Sequence, residues 1–224
     1  MKKLIAAIVL AVLFLLALPV IFPPTRTVAG TDDLPWQIEL QADGSTRVFG
    51  LAPGRSKLAE VRSRFANDLD LAIIAAPGEA GELEAYSASL PAGMIGGKMV
   101  FSAEIAPEVL AQMRQRSPKS SYMESTTRRF NLHPDDVSLA WGAPLRAITY
   151  IPSTNLDETL VLQRFGKPAE RIRVSERLEH FLYPERGLDL LLDKEGPEVL
   201  QYVDPKRFAA LREPLLKKAQ PAAQ

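Results

Sequence analysis

Cysteine is absent from this 224-residue chain. Disulfides, thiolate metal sites, thiol nucleophiles and a lipid-bearing N-terminal cysteine are therefore all excluded, and the fold must hold by packing alone. Histidine is nearly absent too. His133 and His180 are far apart in sequence, so no histidine-rich metal site can be assembled from them, and no cofactor is implied. An excess of either charge is also missing: 27 basic and 27 acidic side chains balance, which removes the positive field that nucleic-acid binding needs. Neither G-x-S-x-G nor S-x-x-K occurs, and Ala92-Gly93-Met94-Ile95-Gly96-Gly97-Lys98-Met99 lacks both the first glycine and the final Ser/Thr of a phosphate loop. That run is read as a hairpin loop, and nucleotide is not expected as a ligand.

The apolar run Leu4–Phe22 follows Lys2-Lys3, with no charge until Arg26. Its length suits a hydrocarbon core of about 30 Å at a helical rise of about 1.5 Å per residue. The flanking lysines predict a cytoplasmic N-terminus and a single-pass inner-membrane protein whose C-terminal domain is periplasmic. Cleavage after Thr27-Val28-Ala29 is the rival reading, since those residues are small enough for a signal-peptide site.

Downstream, the pattern predicts an α+β fold: an N-terminal transmembrane helix, then two similar halves, each with a helix on an antiparallel sheet. The expected organisation is a cytoplasmic tip 1–3, an anchor 4–22, a stalk 23–35, a first half 36–105, a connecting helix-strand-helix segment 106–144, a second half 145–216 and a tail 217–224. Trp36–Gln41 and Thr46–Phe49 flank the turn signal Asp43-Gly44. Helices are expected around Leu58–Phe65 with Ser56 as cap, from Pro107 to Arg116, from Pro134 to Trp141, and from Asn155 to Phe165 with Glu158 completing a capping box. Strands are expected at Leu69–Ala75, Leu83–Ser87, Met99–Phe101 and Leu145–Ile151. Four more follow at Ile172–Val174, Leu178–Tyr183, Leu188–Leu192 and Glu198–Val203, and a last helix carries Phe208, Leu211 and Leu215.

Val61-Arg62-Ser63-Arg64-Phe65 and Val161-Leu162-Gln163-Arg164-Phe165 share V-x-x-R-F, the motive for expecting two related halves. Gly166-x-Pro168, Phe181-x-Tyr183 and Leu188-x-Leu190-x-Leu192 with Gly196 and Val199 resemble the SmpA/OmlA family of small outer-membrane assembly lipoproteins. That fold, two helices on an antiparallel sheet, is carried in tandem by the β-lactamase inhibitor proteins. The resemblance covers about Asn155 to Val203. It departs in the missing lipid-bearing cysteine and in Ser153-Thr154-Asn155 where the family has a Gly-x-Thr turn. It implies a fold used for binding proteins.

Among polar residues, Asp135-Asp136 and Asp157-Glu158 fall in helix first turns, where acids are favoured electrostatically. Ser120-Ser121 sits in a strand, His180 reads as a satisfied, partly buried strand residue, and Arg128-Arg129 reads as a solvated edge, with contact to a partner's acids or lipid headgroups as the alternative. In the second half, alternation puts Leu178, Leu182, Leu188, Leu190 and Leu192 toward the Leu160–Phe165 helix and Phe181, Tyr183, Leu191 and Tyr202 on the opposite face. Either the C-terminal helix covers that face or these four residues form a binding surface. The function expected is that of a membrane-anchored envelope protein with a non-catalytic assembly or scaffold domain that binds another envelope protein. A hydrolase with an unrecognised site is the alternative.

Overall fold

The computed structural model describes residues 33–65, 69–93, 95–123 and 126–219. Asp43-Gly44 turns the chain between two short strands, β1 (Glu39–Leu40) and β2 (Thr46–Arg47), which pair antiparallel. The turn is fastened by Ser45, whose N–H and hydroxyl both donate to Asp43 Oδ1 at 3.0 and 2.6 Å. A second tight turn follows directly. Val48 and Leu51 exchange both backbone hydrogen bonds at 2.9 Å, and Phe49 and Gly50 adopt φ of 54° and 70°. A left-handed phenylalanine costs on the order of 1 kcal/mol. Burial offsets that: the ring is 1% exposed and meets Tyr150 and Tyr202 edge-on at 5.6 Å each.

All the remaining strands enter one sheet. They are β3 (Asp70–Ala75), β4 (Glu82–Ala92), β5 (Ile95–Ala103), β6 (Ser120–Tyr122), β7 (Arg128–Asn131), β8 (Leu145–Pro152), β9 (Glu170–Arg173), β10 (Leu178–Tyr183), β11 (Leu188–Asp193) and β12 (Val199–Val203). Their order is β6-β7-β3-β4-β5-β8-β12-β11-β10-β9, antiparallel throughout. The middle is closed by β5 against β8, with Phe101 opposite Ile148 and Met99 opposite Tyr150. Gly97 matters at this seam, because a Cβ there would come within 2.3 Å of the Tyr150 ring. Gly97 of the Ala92–Met99 run thus admits an aromatic ring, and Tyr150 OH donates to the carbonyls of Ile95 and Gly96 at 3.2 Å.

Four helices bury their apolar stripes in the same core as one face of this sheet. They are α1 (Leu58–Phe65), α2 (Pro107–Gln115), α3 (Pro134–Gly142) and α4 (Glu158–Phe165). Leu58, Val61, Leu110, Met113, Ala140, Val161 and Phe165 join Ile73, Leu83, Phe101, Ile148, Phe181, Leu190 and Tyr202 in one cluster, here called the near face. His133 begins α3 with its ring accepting from Asp135 N–H at 3.3 Å, and Asp136 in the first turn is buried in an ion pair with Arg116. α4 is capped by Asp157, which accepts from Leu160 N–H at 2.7 Å, so the expected capping box on Asn155 does not form. Asn155 faces Glu198 Oε1 at 2.5 Å instead, while Glu198 accepts from Leu156 N–H at 3.1 Å. A fifth helix, α5 (Ala209–Lys218), follows the turn at Asp204-Pro205 and lies on the far face.

Several expectations need correction. Among the described residues the fold is one continuous antiparallel sheet of ten strands, with the small β1–β2 pair and five short helices, not two halves with a sheet each. The cause is the β5–β8 pairing, which leaves no sheet edge in the middle at which two halves could separate. The transmembrane anchor Leu4–Phe22 lies outside the described residues. Among those described, no helix is long and apolar enough to cross a membrane. The longest, α5, has 10 residues and so spans about 15 Å, half a hydrocarbon core. The described residues thus lend no support to single-pass anchoring in the inner membrane, nor to the periplasmic placement and envelope role expected with it. The stalk also ends sooner than expected. Asp33 is buried against Arg64, and the buried Pro35 carbonyl accepts from Tyr202 OH at 2.8 Å. Both arginines of the V-x-x-R-F repeat meet this strap, since the Arg164 guanidinium lies 4.9 Å over the Trp36 ring.

Candidate protein interface

Of the four nominated binding residues, three are core. Phe181, Tyr183 and Tyr202 are 0%, 5% and 1% exposed on the near face. Register is the reason: Phe181 lies opposite Leu190, and Leu188 lies opposite both Tyr183 and Tyr202, and cross-strand partners share a face. These aromatics therefore point with Leu188 and Leu190 toward α4, while Leu182 turns to the far side. Their phenols have partners inside. Tyr183 OH donates to the Gly166 carbonyl at 2.9 Å, and burial pushes the Tyr183 and Tyr202 hydroxyls to higher pKa. Leu191 alone is on the far face, partly exposed.

That far face divides in two. Ala147, Ile172, Leu182 and Val203 pack with Phe208, and with Val174, Leu211 and Leu215 at the margin, so α5 covers this end. Toward β3, β4 and β5, the far-face side chains belong to no buried apolar cluster among the described residues. Tyr86 lies opposite Val100 and Val100 opposite Thr149. Two residues further along β8, Ile151 lies opposite Lys98 and one step past the Tyr150–Leu200 pair, which sets it beside Val199, itself opposite Leu191. Tyr86, Val100, Ile151, Val199 and Leu191, all partly exposed, thus form an apolar diagonal across five strands.

Glu84 stands beside this diagonal, two positions from Tyr86 on the same face of β4 and opposite Ser102. It makes no hydrogen bond or ion pair with any described residue. Desolvation, with repulsion from Glu82 added and attraction from Arg146 opposing, pushes its carboxyl up to about 7. Glu82 itself is paired with Arg146. A carboxyl that is partly withdrawn from water and unpaired is unusual in a natural sheet face, and it invites a donor or a cation from outside.

Two further polar clusters are engaged within the chain. His180 Nδ1 bonds both Asp189 oxygens, at 2.9 and 3.0 Å, and no described serine or threonine bonds this pair. A cavity of about 520 Å³ between the start of α4 and the β11–β12 turn is lined by Asp157, Glu158, Glu179, Asp193, Glu195 and Glu198. Four of these six acids are neutralised locally, since Arg171 bonds Glu158 and Glu179 at 2.7 and 3.0 Å and Arg177 bonds Asp193 and Glu195, while Asp157 and Glu198 accept from the N–H groups of Leu160 and Leu156. The Arg177 hydrogen bond holds the Asp193 carboxyl down to about 2. Among the described residues no group of three or more His, Asp or Glu side chains is placed to hold a metal ion.

Sequence reasoning passed over Tyr86, Val100 and Glu84. Their signal was present in the alternation of Glu82–Ser87 and Lys98–Ser102, whose second face went unasked about. Compared with known proteins, the chain matches no family model, no curated protein and no solved structure. The resemblance to the assembly lipoproteins thus rests on its quoted motifs alone.

Proposed function

We propose that this chain is a non-catalytic interaction domain that docks a protein partner on the open part of its far sheet face. The observation that carries the reading is the apolar diagonal Tyr86, Val100, Ile151, Val199 and Leu191 lying next to the partnerless Glu84. An apolar stripe beside an unpaired, partly desolvated carboxyl is complementary to a segment that presents apolar side chains around one lysine or arginine. Docking would take the stripe out of water and give Glu84 its counter-charge, the combination of buried centre and oriented charge that protein interfaces use. Because a cation favours the ionised carboxylate, binding should strengthen as pH rises through about 7. Glu82 and Arg146, which also face this site, are already paired with each other.

A photo-crosslinking residue placed at Val100 or Val199 in intact cells tests this. The expected result is an adduct with one protein at both positions and none from Leu139 on α3, which is 48% exposed on the opposite side. The adduct should disappear with Glu84→Lys while the melting temperature holds. Equal adducts from Leu139, or none from the stripe, would overturn the reading.

A further inference from the structure

At the outer end of the first half, a cavity of about 270 Å³ opens between the β3–β4 turn, the end of α2 and the β6–β7 hairpin. Arg114, Arg128, Phe130, Tyr122 and Thr126 line it. Both guanidinium carbons lie within 5.0 Å of one ring centre, Arg114 at 4.8 Å and Arg128 at 5.0 Å from Phe130, and Arg128 is also 5.3 Å from the centre of Tyr122. Two positive charges drawn to one ring repel each other unless an anion sits with them.

Ten other arginines are paired with acids: Arg55, Arg64, Arg116, Arg129, Arg146, Arg171, Arg173, Arg177, Arg207 and Arg212 each meet a carboxylate. Arg114 and Arg128 meet none among the described residues, a lack they share with Arg47, Arg62, Arg164 and Arg186, but Arg62, Arg164 and Arg186 each lie over a ring of their own whereas Arg114 and Arg128 share Phe130. Nor is Arg114 loose. Its Nη1 donates to the carbonyls of Glu79 and Ala80 at 2.9 and 2.7 Å, which fixes the plane of the group and leaves the N–H groups on Nε and Nη2 without a described partner. Gly81 makes this clamp possible. At φ 90°, and with a Cβ position only 2.7 Å from the Ile74 carbonyl, only glycine brings the turn back over β3 so that those carbonyls face α2. Arg128 is tethered through Nη2 to Ser120 Oγ. Tyr122, 72% exposed on β6, stands at the mouth beside Arg128 with most of its ring in solvent.

We infer that this cavity binds the phosphate group of a small phosphate ester, held between Arg114 and Arg128, with the ring or apolar body of the ester against Tyr122. Two planar guanidinium forks suit a dianionic oxyanion better than a single carboxylate, because each fork can give a pair of parallel hydrogen bonds to phosphate oxygens. This site is independent of the far-face stripe and of any partner there.

Isothermal titration of the full chain with phenyl phosphate, inorganic phosphate and phenylacetate tests it. Phenyl phosphate should bind saturably, and Arg128→Gln should weaken it at least tenfold. Arg47→Gln, which changes an arginine that also lacks a described carboxylate partner but lies outside the cavity, should leave it unchanged. Tyr122→Ser should weaken phenyl phosphate but not inorganic phosphate. Since Arg114 also clamps a turn, Arg114→Lys is the variant for that position, and a tenfold loss at an unchanged melting temperature is expected. Unsaturable heats, an equal loss in Arg47→Gln, or phenylacetate binding as tightly as phenyl phosphate would each overturn the assignment.

Discussion

Beneath α5, the far-face residues Ala147, Ile172, Leu182 and Val203 are at most 6% exposed, whereas Glu84, Tyr86 and Val100 on β4 and β5 keep part of each side chain in water. Both regions belong to one antiparallel sheet with the same two-residue alternation, so alternation does not explain the contrast. The connections do. After β12 the chain turns at Asp204-Pro205 and sends Phe208, Leu211 and Leu215 across the far side, while after β5 it enters α2, whose Leu110 and Met113 go to the near side. Coverage of a sheet face is thus set by where the next helix docks, and a face that loses that choice keeps its apolar residues available to another chain.

The repeat sharpens the comparison most strongly. Phe165 is 2% exposed and Phe65 only partly buried, although both occupy the same place in V-x-x-R-F. Phe165→Ala should cost about 3–5 kcal/mol in denaturant unfolding, and Phe65→Ala clearly less. Equal losses would show that the two helices are seated alike and that the halves differ only on the far face.

On that face, Leu182→Ala beneath α5 should cost about 2–4 kcal/mol, against less than about 1 kcal/mol for Val100→Ala on the open side. If Val100→Ala destabilises as much as Leu182→Ala, something covers the stripe in the isolated protein. Unfolding free energies from urea melts of the two variants decide it.

The smallest effect concerns Glu84. Its folded-state pKa is raised from 4.5 to about 7, so below about 4.5 its carboxyl is protonated in both states and costs nothing. As pH rises toward 7 the unfolded chain ionises while the folded one keeps its proton, and the fold loses relative stability until the folded group titrates. Because Glu84 is partly exposed, the loss should be only on the order of 1 kcal/mol between pH 5 and 8. Glu84→Gln should abolish that part of the slope, as paired melts across this range would show. Superimposable pH profiles would mean that the open face solvates Glu84 as well as bulk water does.

Much of the secondary structure was legible in the residues. Leu178–Tyr183 and Leu188–Asp193 alternate, Pro107 and Pro134 open helices, and Gly166 ends one. The assignment of faces was not. Phe181 and Leu182 are adjacent and both fully buried, so local apolar character cannot say which of them meets α4. Only the pairing of Phe181 with Leu190 decides it, and a one-residue slip would exchange the faces of the whole strand. The same ambiguity turned Tyr183 and Tyr202 into surface candidates and hid Tyr86.

By itself, then, the amino-acid sequence determined the absence of thiol and clustered-histidine chemistry, the balance of charge, and the order and rough extent of strands and helices. These depend on composition and on neighbours a few residues apart. Tertiary structure alone decided that β5 joins β8 into one sheet, that residues 33–36 strap the V-x-x-R-F helices, that Arg114 and Arg128 converge on Phe130, and that α5 covers one end of the far face only. Each of these brings together residues far apart along the chain, and their pairing is selected by the packing of the whole rather than by any local pattern.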